Sequence, residues 1–337
     1  MSLSLNALVN HQVRLAARPV GLPQASDWQH TTEAVAEPAE GGVLVKTLAL
    51  SLDPAMRGWM NEGKSYIPPV GIGEVMRAGG VGVVVASRNA GFAVGDTVSG
   101  GPGVQEYWSV AAEQVQRSGL VKIDLRAGSL TQWLNVLGMP GMTGYFGLMD
   151  VGQPQAGETV VVSGAAGAVG QTVGQLAKLK GCRVVGIAGG AAKCEWVVNE
   201  LGFDACIDYK GGSVKDGLKQ HCPQGVDVYF DNVGDEILDT VLNDFGCLRV
   251  TKGLLPGMVA QDCISKPVRI ATRLGITGWV SRVRSCTRCC PRMAQIGMNA
   301  SFRMFPDSSA AKGDKSTKPQ LSAGAVALQQ MMRSVHF

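Results

Sequence analysis

The chain has 337 residues, of which 45% are hydrophobic and 17% are charged, and its formal net charge is +4. This length fits two domains that each bury a core. A membrane span is excluded, because no apolar run approaches the roughly 20 residues that a bilayer requires. Nine cysteines without a signal peptide favour reduced thiols in a soluble cytoplasmic protein over a disulfide framework.

Residues 1–125 are rich in short strand-like runs that turn residues separate. The runs cover 12–16, 43–50, 80–86, 96–99 and 107–110. Such spacing predicts a small, twisted, β-barrel-like domain. Helices are predicted next at 129–137 and 144–149, with the glycine- and proline-containing segment 139–144 as a loop between them.

A glycine loop follows the run Thr159–Ser163, which reads as a strand covered on both faces. The loop has the spacing G-x-x-G-x-x-G, with Gly164, Gly167 and Gly170, and apolar residues recur at helical spacing through 169–180. The triplet alone is weak evidence in a glycine-rich chain. Between a strand and a helix, however, it predicts a site for a dinucleotide pyrophosphate at the positive end of the helix.

Further strand-like runs at 183–188, 205–208 and 226–231 alternate with helical patterns at 193–201 and 213–221. This order predicts a doubly wound parallel sheet, so residues 126–262 read as a nucleotide-binding domain. Ligands of such sheets bind at the carboxyl ends of the strands.

The end of the second strand of this sheet indicates which nicotinamide cofactor is used. An NAD enzyme usually places an acid there, but this strand runs through Gly189 to Lys193 without a carboxylate. The ammonium group of Lys193 is suited to a 2′-phosphate, which favours NADP. The alternative for Lys193 is a solvated lysine at the start of a helix.

Residues 263–337 differ from the rest of the chain in charge, with 12 Lys and Arg against two Asp. The segment includes Cys286, Cys289 and Cys290, but no fourth ligand lies at zinc spacing, so no metal site is predicted. A basic segment can bind nucleic acid. Because no aromatic interleaving or binding module accompanies the charge, a solvated or poorly ordered segment is favoured and no nucleic-acid partner is predicted.

Six motifs carry a family resemblance over residues 5 to about 245. They lie at 51–58, 66–70, 73–76, 138–143, 164–170 and 229–234. In these motifs the chain resembles the zinc-independent medium-chain dehydrogenase/reductases, specifically the NADPH-dependent alkenal, curcumin and prostaglandin reductases. The resemblance implies an α/β protein with an N-terminal GroES-like β-barrel domain, a Rossmann domain with a doubly wound parallel sheet, and an atypical C-terminal segment.

The resemblance also implies a set of site residues. Gly164 and 167–170 would cradle the pyrophosphate, Lys193 would meet the 2′-phosphate, Tyr209 would flank the adenosine and Asn232 would lie near the nicotinamide. The predicted cofactor-binding residues are Gly164, Gly167, Ala168, Val169, Gly170, Gly189, Lys193, Tyr209, Asn232, Met142 and Thr143. Packing remains an alternative for Tyr209, and a turn for Asn232.

The predicted reaction is NADPH-dependent reduction of the carbon-carbon double bond of an α,β-unsaturated carbonyl compound, a small-molecule enone. Tyr66 is the candidate hydrogen-bond donor to the enolate oxygen, and Arg57 would shape the pocket. Quinone reduction on the same fold is one alternative. A catalytically impaired NADPH-binding protein is another, because the family ending is missing from residues 263–337, which a frameshifted or misjoined reading frame would explain. The resemblance is compatible with assembly into a homodimer, and the oligomeric state stays open.

Overall fold

The computed structural model describes residues 8–63, 65, 67–117, 120–245, 247 and 249–252. The chain divides into two compact units after Leu134, near the boundary predicted at residue 125. The predicted tail at 263–337 lies outside the described residues. Among the described residues, no helix combines the length and apolar character that crossing a bilayer requires.

The first unit is mainly antiparallel sheet. Its strands are β1 (Val9–Leu15), β2 (Trp28–Ala34), β3 (Val43–Leu50), β4 (Gly80–Ser87), β5 (Thr97–Gly100), β6 (Tyr107–Val110) and β7 (Val121–Lys122). Strands β1 and β2 pair with each other, and the other five form one sheet in the order β6-β3-β4-β5-β7. Short helices accompany them: α1 (Ala55–Trp59), α2 (Ala112–Arg117) and α3 (Leu130–Leu134).

Two apolar clusters stabilise the first unit. In one, valines on alternate positions of the five-stranded sheet are buried together, including Val43, Val45 and Val84. In the other, Met56 of α1 packs with Leu15 of β1. Leu44, between Val43 and Val45, is buried as well, so this part of β3 is covered on both faces.

The second unit is a parallel sheet flanked by helices. Its strands are β8 (Thr159–Ser163), β9 (Arg183–Ala188), β10 (Ala205–Asp208), β11 (Val228–Asp231) and β12 (Arg249–Lys252). Its helices are α4 (Met139–Phe146), a π-helix (Gly147–Gly152), α5 (Ala168–Leu179), α6 (Ala191–Asn199), α7 (Val214–His221) and α8 (Asp235–Phe245). All strand pairs are parallel, in the order β10-β9-β8-β11-β12, which confirms the predicted doubly wound topology.

Each face of the parallel sheet packs against different helices. Val160 and Val162 of β8 share one buried cluster with Val173 of α5. Val161, which points to the other face, belongs to a second cluster with Leu218 of α7. Because both faces are covered, β8 is apolar at consecutive positions rather than at alternate ones.

The predicted loop at 139–144 is wrong, because these residues belong to α4. Pro140 stands in the first turn of α4, where a proline needs no amide hydrogen and its fixed φ suits a helix. Gly144 brings α4 close to α5, since a Cβ there would lie 3.2 Å from Cγ2 of Val173. The residues that read as helix breakers therefore serve helix entry and close packing.

Candidate cofactor site

The glycine loop leaves β8 in a conformation that glycine favours. Gly164 has φ of +58°, and its carbonyl oxygen accepts a hydrogen bond from the amide of Gly167 at 2.8 Å. Helix α5 begins at the next residue, Ala168. The loop is thus a tight turn that joins the end of a buried strand directly to a helix.

Close packing explains the last of the three glycines. A Cβ at Gly170 would collide with the carbonyl oxygen of Gly164, so the first turn of α5 packs directly on the loop. A Cβ at Gly164 would be in ordinary contact with Cβ of Asn232, at 3.4 Å, so the end of β11 lies against the loop. The loop backbone is therefore held between α5 and the turn after β11.

The start of α5 is suited to an anion. Its N-cap is Gly167, which has no side chain to occupy the free amide groups of the first turn. Gly167 and Ala168 are exposed, whereas Gly170 is buried. The amides of Ala168, Val169 and Gly170 together with the helix dipole can therefore hold a pyrophosphate, as predicted for this loop.

A second part of the site lies where β9 leads into α6. Gly190 has φ of +102°, and Lys193 is exposed in the first turn of α6. Tyr209 follows β10 and is 45% exposed. A Cβ at Gly189 would lie 2.7 Å from the Tyr209 hydroxyl, so the tyrosine ring rests against this loop.

Asp208 holds the same loop in place and was missed by the sequence analysis. Its Oδ1 accepts hydrogen bonds from the amides of Gly190 at 2.7 Å and Lys210 at 2.9 Å. These backbone hydrogen bonds, that of Gly190 first, lower the pKa of the Asp208 carboxyl below its ordinary value. The signal in the sequence was an acid at the end of β10, at the same edge of the sheet as Gly189.

A buried hydrogen-bond network joins the ends of β8 and β11. Asp231 is 4% exposed, and its Oδ1 accepts hydrogen bonds from the hydroxyls of Ser163 at 3.3 Å and Tyr229 at 3.1 Å. The same oxygen accepts from the amides of Val233 at 3.2 Å and Gly234 at 2.8 Å. The network fixes the turn after β11. Asp231 lies within the 229–234 motif, but the sequence analysis assigned no role to it or to Ser163.

Asn232 lies exposed at this turn and is tied to β8. Its amide donates to Oγ of Ser163 at 2.8 Å, and its Nδ2 donates to the Ser163 carbonyl oxygen, also at 2.8 Å. The side chain therefore fixes the distance between the ends of β8 and β11. This is the point where the strand order reverses direction, at which doubly wound sheets bind their ligands.

Met142 and Thr143 belong to α4 rather than to a loop. The Thr143 hydroxyl donates to the carbonyl oxygen of Met139 at 2.9 Å, and Thr143 is 9% exposed, whereas Met142 is half-buried. Helix α4 packs against α5, the helix that follows the glycine loop, and this contact connects Met142 and Thr143 with the loop. A direct role of either residue in cofactor binding stays a prediction.

Of the two candidate catalytic residues, the structure describes Arg57, which lies in α1 of the first unit. Nε of Arg57 donates to the Gly21 carbonyl oxygen at 3.0 Å, and Nη2 donates to that of Pro19 at 3.1 Å. Nη1 donates to Oδ1 of Asn61 at 2.6 Å. The guanidinium group thus anchors the segment at residues 19–21. Tyr66 lies outside the described residues.

The next feature is the distribution of side chains that could bind a metal ion. The part of the chain that the structure describes contains no group of three or more His, Cys, Asp and Glu side chains that could hold a metal ion. The cysteines at 286, 289 and 290 lie outside it. The prediction of chemistry without a metal stays a prediction.

Two family models match the chain. One, described as the N-terminal domain of oxidoreductase, matches residues 11–118, and the other, described as zinc-binding dehydrogenase, matches residues 168–249. The second match begins at the first residue of α5 and ends at the first residue of β12. Together they cover most of the antiparallel unit and much of the parallel sheet.

Two named relatives share much of the sequence. The NADPH-dependent curcumin reductase of Escherichia coli is 47% identical over 233 residues, which is 69% of this chain and 66% of that protein. The NADP-dependent 2-alkenal reductase of Nicotiana tabacum is 41% identical over 239 residues, or 69% of this chain and 68% of that protein. These matches span about two thirds of the relatives' length.

One of the similar solved structures contains a bound cofactor. The crystal structure of CurA from Vibrio vulnificus in complex with NADPH is 34% identical and covers 97% of this chain and 90% of that one, with a TM-score of 0.66. The chain belongs to the family of NADPH-dependent alkenal and curcumin reductases. This reductase family lies within the medium-chain dehydrogenase/reductases.

Family membership confirms several predictions made from the sequence. The resemblance, the α/β fold with its antiparallel N-terminal domain and Rossmann domain, and the assignment as an oxidoreductase are confirmed. NADP as the cofactor of this reductase is also confirmed, since the relatives are NADP-dependent and a solved one holds NADPH. The roles of individual site residues stay predictions.

Proposed function

We propose that this reductase transfers hydride from NADPH to the carbon-carbon double bond of α,β-unsaturated carbonyl compounds. The observation that carries the proposal is 47% and 41% identity with relatives named as curcumin and 2-alkenal reductases. Both named substrates contain a double bond conjugated to a carbonyl group. The glycine cradle from Gly164 to Gly170 supports the cofactor side of the proposal, because no side chain caps the first-turn amides of α5.

The residues of the second unit divide the work of holding NADPH. The amides of Ala168, Val169 and Gly170 would bind the pyrophosphate at the start of α5. Lys193 would pair with the 2′-phosphate, while Tyr209, resting against Gly189, would flank the adenosine. All of these groups lie at the carboxyl edge of the parallel sheet.

The nicotinamide half would lie near Asn232, whose position Ser163 fixes through two hydrogen bonds. Met142 and Thr143 of α4 complete the proposed cofactor set. When bound, NADPH supplies the hydride that adds to the β carbon of the enone. The protein's contribution at this point is orientation, because a fixed turn after β11 keeps Asn232 in one place.

Hydride addition at the β carbon leaves negative charge on the carbonyl oxygen of the substrate. We propose that the Tyr66 hydroxyl donates a hydrogen bond to that oxygen, and that a proton then reaches the α carbon. Arg57 would act indirectly by holding the 19–21 segment through its two backbone carbonyl contacts. Arg57 is therefore proposed as a positioning residue.

The test combines NADPH oxidation with product analysis. NADPH deuterated at the transferred position is supplied with a 2-alkenal and, separately, with a quinone. We expect the saturated aldehyde with deuterium at the β carbon. An allylic alcohol would contradict double-bond reduction, and turnover of the quinone alone would favour the quinone reductase alternative. NADPH binding without oxidation by any enone would favour the impaired, cofactor-binding alternative.

We also propose a cytoplasmic location and a small-molecule substrate as the main partner. None of the five cysteines in the described part of the chain belongs to a disulfide bond, which supports a reducing compartment. Assembly into a homodimer stays a proposal. Light scattering coupled to size-exclusion chromatography would distinguish a homodimer from a monomer of 35.3 kDa.

A further inference from the structure

Two cysteines lie in contact beside the proposed 2′-phosphate site. Cys194 stands in the first turns of α6, directly after Lys193, and Cys206 is the second residue of β10. Their Sγ atoms are 2.7 Å apart and both residues are half-buried. A disulfide bond is about 2.05 Å long, so little movement separates the two thiols from a covalent link.

The other cysteines in the described part of the chain have different surroundings. Cys182 is buried and its thiol lies 3.3 Å from the carbonyl oxygen of Gln155. Cys222 is buried in the cluster on the α7 side of the sheet. The thiols of Cys194 and Cys206, by contrast, contact each other directly.

We propose that Cys194 and Cys206 are an oxidation site that forms a reversible intramolecular disulfide when the protein meets a peroxide. The cofactor chemistry is not involved, so the inference does not depend on the proposed function. Both cysteines belong to the second unit, and the helix and strand that carry them pack against each other. The disulfide would fasten α6, with Lys193 next to it, to β10.

With peroxide as the oxidant, the reaction balances in atoms and electrons. Burial, followed by the neighbouring Cys194, raises the pKa of the Cys206 thiol, and in the proposal Cys194 reacts first. The Cys194 sulfur attacks one peroxide oxygen, the O–O bond breaks, and a sulfenic acid and one water form. The Cys206 sulfur then attacks the sulfenic sulfur and releases a second water. Two thiols lose two electrons and two protons, and one peroxide becomes two waters.

The sequence offers a sharp readout for this disulfide. Cleavage after Lys193 and Lys210 gives one peptide, residues 194–210, that contains both cysteines and no other Lys or Arg. Oxidation should make this peptide lighter by two hydrogen atoms and block its alkylation. Further cleavage at Glu200 should leave its two halves joined until a dithiol reductant separates them.

The experiment treats the reduced full-length chain with equimolar hydrogen peroxide, followed by alkylation and peptide mapping. We expect the linked peptide in the wild type and in Cys222→Ser, which leaves the pair intact. Cys194→Ser and Cys206→Ser should not form it. Because closing a loop restrains the unfolded chain, the oxidised wild type should also melt at a higher temperature than Cys194→Ser treated alike.

The proposal is overturned if peptide 194–210 of the peroxide-treated wild type still takes up two alkyl groups. It is equally overturned if the two sulfurs are recovered as separate sulfinic acids. Because the wild-type chain alone decides both outcomes, a variant that fails to fold does not affect the test.

Discussion

At the scale of single residues, Asp231 connects the ends of two strands through one oxygen. That oxygen accepts from the hydroxyls of Ser163 and Tyr229 and from the amides of Val233 and Gly234. A buried donor that loses its acceptor costs about 1–3 kcal/mol. Removal of the Asp231 side chain would therefore take an acceptor from four donors at once, two hydroxyls and two amides.

Asp231→Ala is expected to lower the free energy of unfolding by at least about 2 kcal/mol, since several buried donors lose their acceptor together. Tyr229→Phe, which removes one donor and keeps the acceptor, should cost about 0.5–1.5 kcal/mol. Urea denaturation of both variants measures the difference. Equal costs for the two variants would show that Asp231 does not organise the network.

Gly170→Ala tests the glycine cradle, because its new Cβ would collide with the Gly164 carbonyl oxygen. Overpacking of this kind costs about 1–3 kcal/mol, so NADPH affinity should fall roughly tenfold as the loop shifts. Gly212→Ala is the matched control, since a Cβ there has nothing within 4 Å. Fluorescence titration with NADPH gives both affinities, and wild-type binding by Gly170→Ala would contradict the cradle.

At the scale of elements, an ion pair ties α5 to the start of β10. Nζ of Lys178 lies 2.9 Å from both oxygens of Asp204, whose Oδ2 also accepts from the amide of Val184 at 2.6 Å. Burial raises the pKa of Asp204, but the hydrogen bonds from Lys178 and Val184 outweigh it, and the pKa lies below its ordinary value. The ionised carboxylate therefore stabilises the folded state.

Because the pKa of Asp204 is lowered in the folded state, the free energy of unfolding depends on pH. The stabilisation is present above the unfolded pKa of about 3.9 and is lost as the pH falls through the lower folded pKa. The free energy of unfolding should fall from about pH 5 to about pH 3 more steeply in the wild type than in Asp204→Asn. Asp216→Asn, at an exposed position, is the matched control for replacing one carboxylate by an amide. Parallel slopes for wild type and Asp204→Asn would refute this assignment.

The elements show which parts of the fold were readable from the sequence. The strands β9 and β10 and the glycine loop follow local patterns of neighbouring residues, and the sequence predicted them. The sequence did not predict helix α4. Pro140 acts at the start of this helix, and Gly144 acts through its contact with α5, so neither role follows from the local pattern. The pairs Ser163–Asp231 and Asp208–Gly190 join residues 68 and 18 positions apart, which only the folded sheet brings together.

At the scale of the whole molecule, the described cofactor groups all precede residue 253, whereas the basic segment begins after it. If 253–337 are replaced by the ending of the E. coli curcumin reductase, enone turnover should rise while NADPH affinity stays nearly constant. A chain with 263–337 in shuffled order should keep the original turnover. Equal turnover of the exchanged and natural chains would show that the ending of this chain does not limit its enone turnover.

The central claim is that the second unit holds NADPH through Lys193 at the 2′-phosphate and the glycine loop at the pyrophosphate. The most direct measurement is calorimetric titration of wild type, Lys193→Ala and the control Lys219→Ala with NADPH and with NADH. Loss of a charge-assisted contact should weaken NADPH binding by Lys193→Ala about 10- to 100-fold and leave NADH binding unchanged. Equal affinity of the wild type for both cofactors, or unaltered NADPH binding by Lys193→Ala, would contradict the claim.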